Sequence, residues 1–246
     1  MITLLIIALA IIVGATIQRL SGTGIGIVTS PFLTALIGPI SGVLITNLVG
    51  LLGALMMIYP LRHYIEWKKY AIITFSGFLG MIPGLWLINH LPTGWLKIII
   101  GGFVFFSLIT TLGVKNLPAF TGEKWRILAG VFSGFSSISA GMSGPALVLY
   151  SRISKWKQEN FAATMQPTFA TFATLSVALK LMSGVSLPEN ISLTAIAIIS
   201  VVSIFIGTHL GDWLSAYIKP IQARNMALFL ATVGAIVAIY TGLQSL

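Results

Sequence analysis

Two copies of one pattern decide the fold: GMIPGLWL at residues 80–87 and GTHLGDWL at residues 207–214. Both read Gly-x3-Gly-x-Trp-Leu, and both lie within long apolar runs. A second pair of similar segments, rich in glycine, precedes them as SGTGIG at residues 21–26 and GMSGP at residues 141–145. Two matches that occur in the same order predict an internal repeat.

The composition points to lipid as the solvent for most of this chain. Of 246 residues, 57% are hydrophobic and only 8% are charged, whereas soluble domains carry about 25% charged residues. The mean hydropathy of +1.00 agrees. Disorder is excluded because it requires low hydrophobicity. The chain has no cysteine and three histidines, so a thiolate or dense metal site is excluded, and we expect no cofactor.

Apolar runs long enough to cross a bilayer recur along the chain. A transmembrane helix needs about 20 mostly apolar residues, and seven segments qualify: 2–20, 42–60, 70–89, 95–114, 160–182, 191–217 and 225–244. The glycine-rich segments interrupt two further apolar regions and leave shorter pieces. Such pieces are typical of the broken or re-entrant helices of transporters.

The cations indicate how the chain is oriented. Eleven of the fourteen Lys and Arg residues fall in four connections, at 59–70, 115–126, 151–159 and 218–224. By the positive-inside rule these connections face the cytoplasm and both termini face outside. Equivalent loops of the two halves then lie on opposite sides of the membrane. Because the cations are scattered rather than clustered on one face, a nucleic-acid partner is not expected.

The predicted fold is an all-α polytopic membrane protein with two inverted-topology repeats. Each repeat contains one Gly-rich broken or re-entrant helix and three full transmembrane helices. We assign the first repeat to residues 1–114, a cytoplasmic connection to 115–125 and the second, inverted repeat to 126–246. This is the architecture of many secondary transporters.

A site for an anion is predicted where the two helix breaks meet. Broken helices expose N–H groups at their N-termini, which attract negative charge. Arg19 is the only charge in the first 61 residues, and its guanidinium could hold an oxyanion with two parallel hydrogen bonds. An interface anchor is the alternative for Arg19. The predicted binding residues are Arg19, Ser21, Gly22, Gly24, Gly26, Asn47, Ser143, Gly144, Gln166 and Thr168.

Other polar and small residues have structural interpretations. The threonines from Thr164 to Thr174 are either a pathway lining or interhelical contacts, with neither favoured. His209 and Asp212 are a candidate pair for a coupling proton, although a place in the headgroup region is favoured. Interface anchors are predicted at Lys97, Lys180, Trp95, Trp125 and Trp156. Helix packing is predicted for Gly80, Gly84, Gly130 and Gly134.

An enzyme is the main alternative to a transporter. Gly141–Met142–Ser143–Gly144 fits a Gly-x-Ser-Gly motif, and His209 follows two helices later, an order similar to that of rhomboid intramembrane proteases. A serine needs such a base to become nucleophilic. The repeat explains both segments without catalysis, so we predict that the protein is not an enzyme. A non-transporting membrane scaffold is a further alternative.

The order of these features resembles the sulfite exporter TauE/SafE family of bacterial membrane proteins. That family carries a Gly-rich signature near the start of each half, followed by a proline; here Pro31 and Pro145 follow the two breaks. Both copies depart from the usual run of three glycines. The resemblance implies a multi-pass protein of the bacterial inner membrane that exports small sulfur-containing anions, such as sulfite or sulfonates, by alternating access. The expected partners are the anion, the lipid bilayer, a coupling ion such as a proton and, as an open alternative, further copies of the chain.

Overall fold

The structure, a computed structural model, is all-helical and describes residues 2–21, 25–112, 122–185 and 192–246. In those ranges the chain forms ten α-helices and one 3-10 turn at Arg62–Tyr64. The helices are α1 (Ile2–Ser21), α2 (Ile25–Ile37), α3 (Pro39–Leu61), α4 (Trp67–His90), α5 (Thr93–Leu112), α6 (Glu123–Ala140), α7 (Gly144–Ile153), α8 (Gln158–Met182), α9 (Leu193–Leu214) and α10 (Pro220–Leu243).

The second predicted helix break is present between α6 and α7. Residues 22–24 of the first predicted break lie outside the described residues; α1 ends before them, α2 begins after them, and the two helices pack against each other. Gly141 ends α6 at a φ of 70°, a left-handed conformation that glycine adopts without strain, and its N–H bonds to Ser137 O at 3.0 Å. Pro145 then occupies the first turn of α7, where its missing N–H costs nothing. With 13 and 10 residues, α2 and α7 are about 20 and 15 Å long.

Each half of the chain packs its helices against the other half. Helix α1 lies along α9, and α4 lies along α6; the central pairs are α3 with α8 and α5 with α10. Exchanging α1–α5 for α6–α10 turns the α1–α9 pair into the α6–α4 pair and maps each of the other two pairs onto itself. The helix pairs are therefore preserved when the two halves are exchanged, as a two-fold repeat requires. The inverted orientation of the halves stays a prediction.

The repeated Gly-x3-Gly segments form the tightest helix contacts. A Cβ on Gly80 would overlap the carbonyl oxygen of Val131 on α6. In the second half, a Cβ on Gly207 would lie 2.6 Å from Ile12 O on α1. Equally close contacts surround Gly84, Gly130, Gly134 and Gly211. The packing interpretation is therefore confirmed, because only glycine lets these backbones approach so closely.

Six helices in the described ranges are long and apolar enough to cross a membrane. They correspond to six of the seven predicted spans and lie at Thr3–Leu20, Pro39–Tyr64, Trp67–His90, Thr93–Thr110, Thr194–Leu214 and Ile221–Leu243. Their outward side chains are strongly apolar; Phe75 is 73% exposed and Phe229 is 67% exposed. A surface of this kind suits lipid rather than water. The chain is a multi-pass membrane protein.

The predicted span at 160–182 is the exception. Helix α8 covers it with 25 residues, which is long enough to cross a bilayer. It is not among the six apolar spans because polar side chains such as Thr164, Gln166 and Thr168 interrupt it. Helices α3, α4, α6 and α7 pack around α8, so much of its surface contacts protein.

Two predicted interface anchors are wrong. The side chain of Lys180 is fully buried, and Trp156 is also buried. The Trp156 ring packs between Tyr150 and Phe161, while the Lys69 ammonium lies 4.3 Å above its centre. Tertiary contacts that were invisible in the sequence therefore remove both side chains from the membrane interface. Trp95 and Trp125 are exposed, as expected of anchors.

Candidate functional site

The two helix breaks contact each other. A Cβ on Gly26, near the start of α2, would lie only 2.7 Å from Gly141 O at the second break. Nearby, Ser30 Oγ donates a hydrogen bond of 2.6 Å to Ala140 O, the last residue of α6. The absence of a side chain at Gly26 thus permits this approach, and Ser30 satisfies a carbonyl that the end of α6 leaves without a helical partner.

A cavity of about 400 Å³ lies at this meeting point. Its volume lies within the range of small-molecule binding sites, about 300–1,000 Å³. Helices α3 and α8 form two of its walls, and the starts of α2 and α7 form another. Apolar surface comes from side chains such as Met142, Met165 and Phe169, and polar surface from Ser107, Asn47 and Gln166. The site is therefore a mixed polar and apolar chamber formed by both halves.

The N-termini of both short helices lie at the cavity wall. Residues 25–27 begin α2, and residues 143–145 begin α7; both sets line the chamber. The N–H groups in the first turn of a helix have no intrahelical partner, and the Ser143 side chain does not cap those of α7. Two helix N-termini at the wall of one cavity supply positive potential that favours an anion.

Arg152 is the charged residue among the described residues that line this cavity. It lies in the last turn of α7, and its Nη1 donates a 3.0 Å hydrogen bond to Thr110 O on α5. Gly144, Val148 and Arg152 all line the chamber at steps of four residues along α7, which is one face of a helix. Sequence reasoning missed Arg152 because it was grouped with the cytoplasmic loop cations, although this spacing could have revealed it.

Two amides among the predicted site residues also line the chamber. Asn47 is buried, and its Nδ2 donates to Ser176 Oγ at 2.7 Å and to Ser137 O at 3.2 Å. Gln166 Nε2 donates to Ala162 O at 3.1 Å, one turn earlier on its own helix. These bonds hold the Asn47 side chain against α6 and α8, and the Gln166 side chain against its own helix.

The structure brings five of the ten predicted site residues to the cavity, namely Gly26, Asn47, Ser143, Gly144 and Gln166. Thr168 is fully buried, donates to Thr164 O at 2.8 Å and is not among the lining residues. Gly22, Gly24 and the side chain of Ser21 lie outside the described residues. Residues that line the cavity but were not predicted include Gln18, Ser107 and Arg152.

Arg19 is held elsewhere. Its Nε pairs with Asp212 Oδ1 at 2.5 Å, and the two side chains are 46% and 54% exposed. Arg19 is not among the described residues that line the chamber. The partner on α9 lies 193 residues away in the sequence, and the packing of α1 on α9 creates the pair. That Arg19 binds the anion stays a prediction. Arg152, which lines the cavity, is a second candidate for that role.

The residues of the alternative protease site do not form a dyad. His209 is exposed on α9; its Nδ1 contacts Phe205 O at 2.9 Å, and its ring packs against Phe205. Within the described chain, no hydrogen bond joins His209 to Ser143, which lines the cavity beside α7. Ser143 therefore lacks the neighbouring base that a serine nucleophile requires.

Comparison with known proteins gives one match to a family. The family model described as "Sulfite exporter TauE/SafE" matches residues 6–241. No curated protein and no solved structure matches the chain. The matched region includes both helix breaks and all the described residues that line the cavity.

Proposed function

Since the chain belongs to the sulfite exporter TauE/SafE family and is a membrane transporter, we propose that it exports small sulfur-containing anions by alternating access. Sulfite and organic sulfonates are the substrate class. The protein acts as a secondary transporter in the inner membrane of a bacterium. The substrate binds in the chamber between the two helix breaks.

One observation carries this proposal: the N-termini of α2 and α7 converge on a cavity that also contains Arg152. An oxyanion that leaves water needs donors and positive charge to replace its hydration. Backbone N–H groups and helix dipoles supply both at the breaks, and the guanidinium supplies a fixed charge with planar donors. The described lining residues include no carboxylate, which favours an anion over a cation.

Neutral side chains of the cavity can provide the other contacts that bind a sulfonate. Asn47, Gln166 and Ser143 provide amide and hydroxyl groups, and Met142 and Phe169 provide apolar surface for an organic substituent. Neutral donors bind an anion less tightly than several cations would. Moderate binding suits a transporter because the substrate must also leave the site.

The cavity and the predicted orientation together suggest loading from the cytoplasm. Arg152 and Gln158 line the chamber, and both are exposed. They flank the α7–α8 connection, which the positive-inside rule assigns to the cytoplasm. An anion would thus meet Arg152 first and reach the helix breaks next.

The orientation can be checked by labelling single cysteines, because the natural chain has none. We expect a membrane-impermeant maleimide to label Ser183→Cys, after α8, in intact cells. Lys155→Cys, in the connection before α8, should be labelled only after the membrane is opened. The reverse pattern would show that the charge rule misorients this chain and that the chamber opens outside.

Transport can be tested in proteoliposomes loaded with sulfite, methanesulfonate or sulfoacetate. We expect saturable efflux of at least one of these anions, well above protein-free vesicles, and no comparable efflux of K⁺ or choline. A fluorogenic transmembrane peptide serves as a parallel substrate. Peptide cleavage that Ser143→Ala abolishes, together with no anion flux, would contradict the transporter and support the protease alternative.

A further inference from the structure

Lys180 is a buried cation that does not line the transport site. It lies in the last turn of α8, and none of its side chain is exposed. The two ion pairs of the described chain, Arg19–Asp212 and Lys69–Glu66, do not involve it. An ammonium without a counter-ion is strongly disfavoured away from water, so it is ordinarily neutral or paired with an anion.

A short hydrogen-bond path connects Lys180 with the cavity. Lys180 Nζ bonds to Ser176 Oγ at 3.3 Å, one turn earlier on α8. The same oxygen accepts from Asn47 Nδ2 at 2.7 Å, and Asn47 lines the chamber. Two hydrogen bonds therefore separate the amine from a side chain of the predicted anion site.

The same path reaches the second helix break. Asn47 Nδ2 also donates to Ser137 O at 3.2 Å, and that carbonyl accepts the N–H of Gly141 at 3.0 Å. Gly141 is the left-handed residue at which α6 ends. Lys180 is thus connected through buried groups to the residues that shape the cavity, rather than to lipid or solvent.

Other ionisable groups lie on the elements that pack against α8, namely α3, α4, α6, α7 and the 3-10 turn. Those groups are Tyr59, Arg62, His63, Tyr64, Lys68, Lys69, Tyr70, His90, Glu123, Lys124, Arg126, Tyr150 and Arg152. Within the described chain, no hydrogen bond or ion pair joins any of them to Lys180. Tyr70, for example, bonds to Thr171, and His90 contacts Trp86 O on its own helix.

We propose that Lys180 takes up a proton when an anion binds in the cavity, so that anion binding is linked to proton binding on the amine. This inference rests on the proposed function. When the anion binds, the Lys180 nitrogen takes one proton from a hydronium ion: an N–H bond forms, an O–H bond breaks and a water molecule is released. When the anion leaves, that N–H bond breaks and the proton returns to a water molecule, so no oxidant or reductant is needed.

The coupling follows from charge attraction inside a poorly polar environment. Unit charges separated by about 7 Å at an effective dielectric constant of about 20 alter an affinity on the order of 50-fold. By linkage, the anion raises the affinity of Lys180 for a proton by the same factor that the proton raises anion affinity. Anion affinity should therefore fall as the pH rises and the amine loses its proton.

The test measures proton uptake when purified protein in detergent binds methanesulfonate, which stays ionised throughout the pH range used. In a weakly buffered solution with a pH-sensitive dye, we expect the wild-type protein to take up as much as one proton per bound anion. Lys180→Met should take up none, and its anion affinity should fall on the order of 50-fold and lose its pH dependence. Lys180→Arg should bind the anion at all pH values without proton uptake.

Lys97→Met is the matched control, since Lys97 lies near the start of α5, is predicted only as an interface anchor and is not among the described residues that line the cavity; the variant should keep the wild-type uptake. Glu189→Gln tests a carboxylate outside the described residues. Loss of uptake in Glu189→Gln but not in Lys180→Met would assign the proton to that carboxylate and overturn the inference.

Separate results distinguish this inference from the proposed function. Anion binding by the wild type without proton uptake, or uptake that persists in Lys180→Met, would overturn the role of Lys180 and leave anion transport intact. If the wild type binds neither sulfite nor either sulfonate, the proposed function fails, and the linkage fails with it. Thermal unfolding of each variant reports whether it is folded, and Lys180→Gln provides a second neutral side chain.

Discussion

Gly80→Ala is expected to separate α4 from α6 and to lower the stability of the protein more than a methyl group added at Gly207 or Gly102. The new Cβ would overlap Val131 O, a backbone atom that cannot rotate away. Overpacking typically costs about 1–3 kcal/mol and occasionally more, and here a whole helix must shift. The loss of thermal stability is measured by heating the detergent-solubilised protein and monitoring its unfolding by size-exclusion chromatography.

Two further alanine substitutions provide stability losses with which that of Gly80→Ala can be compared. Gly207→Ala, at the equivalent α9–α1 contact, places its Cβ 2.6 Å from Ile12 O and should destabilise less. Gly102→Ala on α5 has nothing within 4 Å and should be neutral or slightly stabilising, because alanine favours helix. If Gly80→Ala and Gly102→Ala unfold at the same temperature, the close contact between α4 and α6 is wrong.

Arg152→Gln is expected to weaken binding of sulfite or a sulfonate by about 10- to 150-fold, because a charge-assisted hydrogen bond contributes about 1.5–3 kcal/mol. Glutamine retains a polar side chain, and position 152 is exposed, so folding should be largely unaffected. Arg152→Lys should recover only part of the affinity, since lysine keeps the charge but loses the planar pair of donors. Equilibrium binding of the purified variants and efflux from proteoliposomes measure the change.

Arg62→Gln is the matched control for loss of one arginine charge. Arg62 lies in the exposed 3-10 turn, where it bonds to Tyr59 O and stacks on that ring. Its replacement should leave anion affinity within about twofold, since Arg62 is not among the described residues that line the cavity and an exposed charge away from the site is screened. Arg19→Gln separates the two candidate ligands. A large loss in Arg19→Gln with none in Arg152→Gln would restore the anion ligand predicted from the sequence.

The positions of the helix breaks could be predicted from the sequence because they depend on local chemistry. Gly141 is needed for a left-handed helix end, and Pro145 suits only the first turn of the helix that follows. Both preferences hold wherever the segment lies in the fold. The close helix contacts at the Gly-x3-Gly segments could also be predicted from the sequence, since two glycines four residues apart give a helix face without side chains.

The exact set of side chains around the cavity could not be predicted in this way. Asn47 and Gln166 were found because an unpaired buried amide is costly, and the breaks were found from their glycines. Arg152 was missed, although it lies on the same face of α7 as Gly144. Its charge was read as a signal of membrane orientation, and the same residue can satisfy the positive-inside rule and line a cavity.

The sequence by itself determined that this chain is a multi-pass membrane protein with two broken helices, because hydrophobic length and glycine and proline preferences act over a few residues. Only the tertiary structure decided which cations are buried, paired or exposed to the cavity. Packing of α1 on α9 joins Arg19 to Asp212, which is 193 residues away. Packing of α8 among its neighbours buries Lys180 and links it through Ser176 to Asn47. These contacts depend on how helices that are distant in the sequence pack together, and a local sequence pattern does not specify that packing.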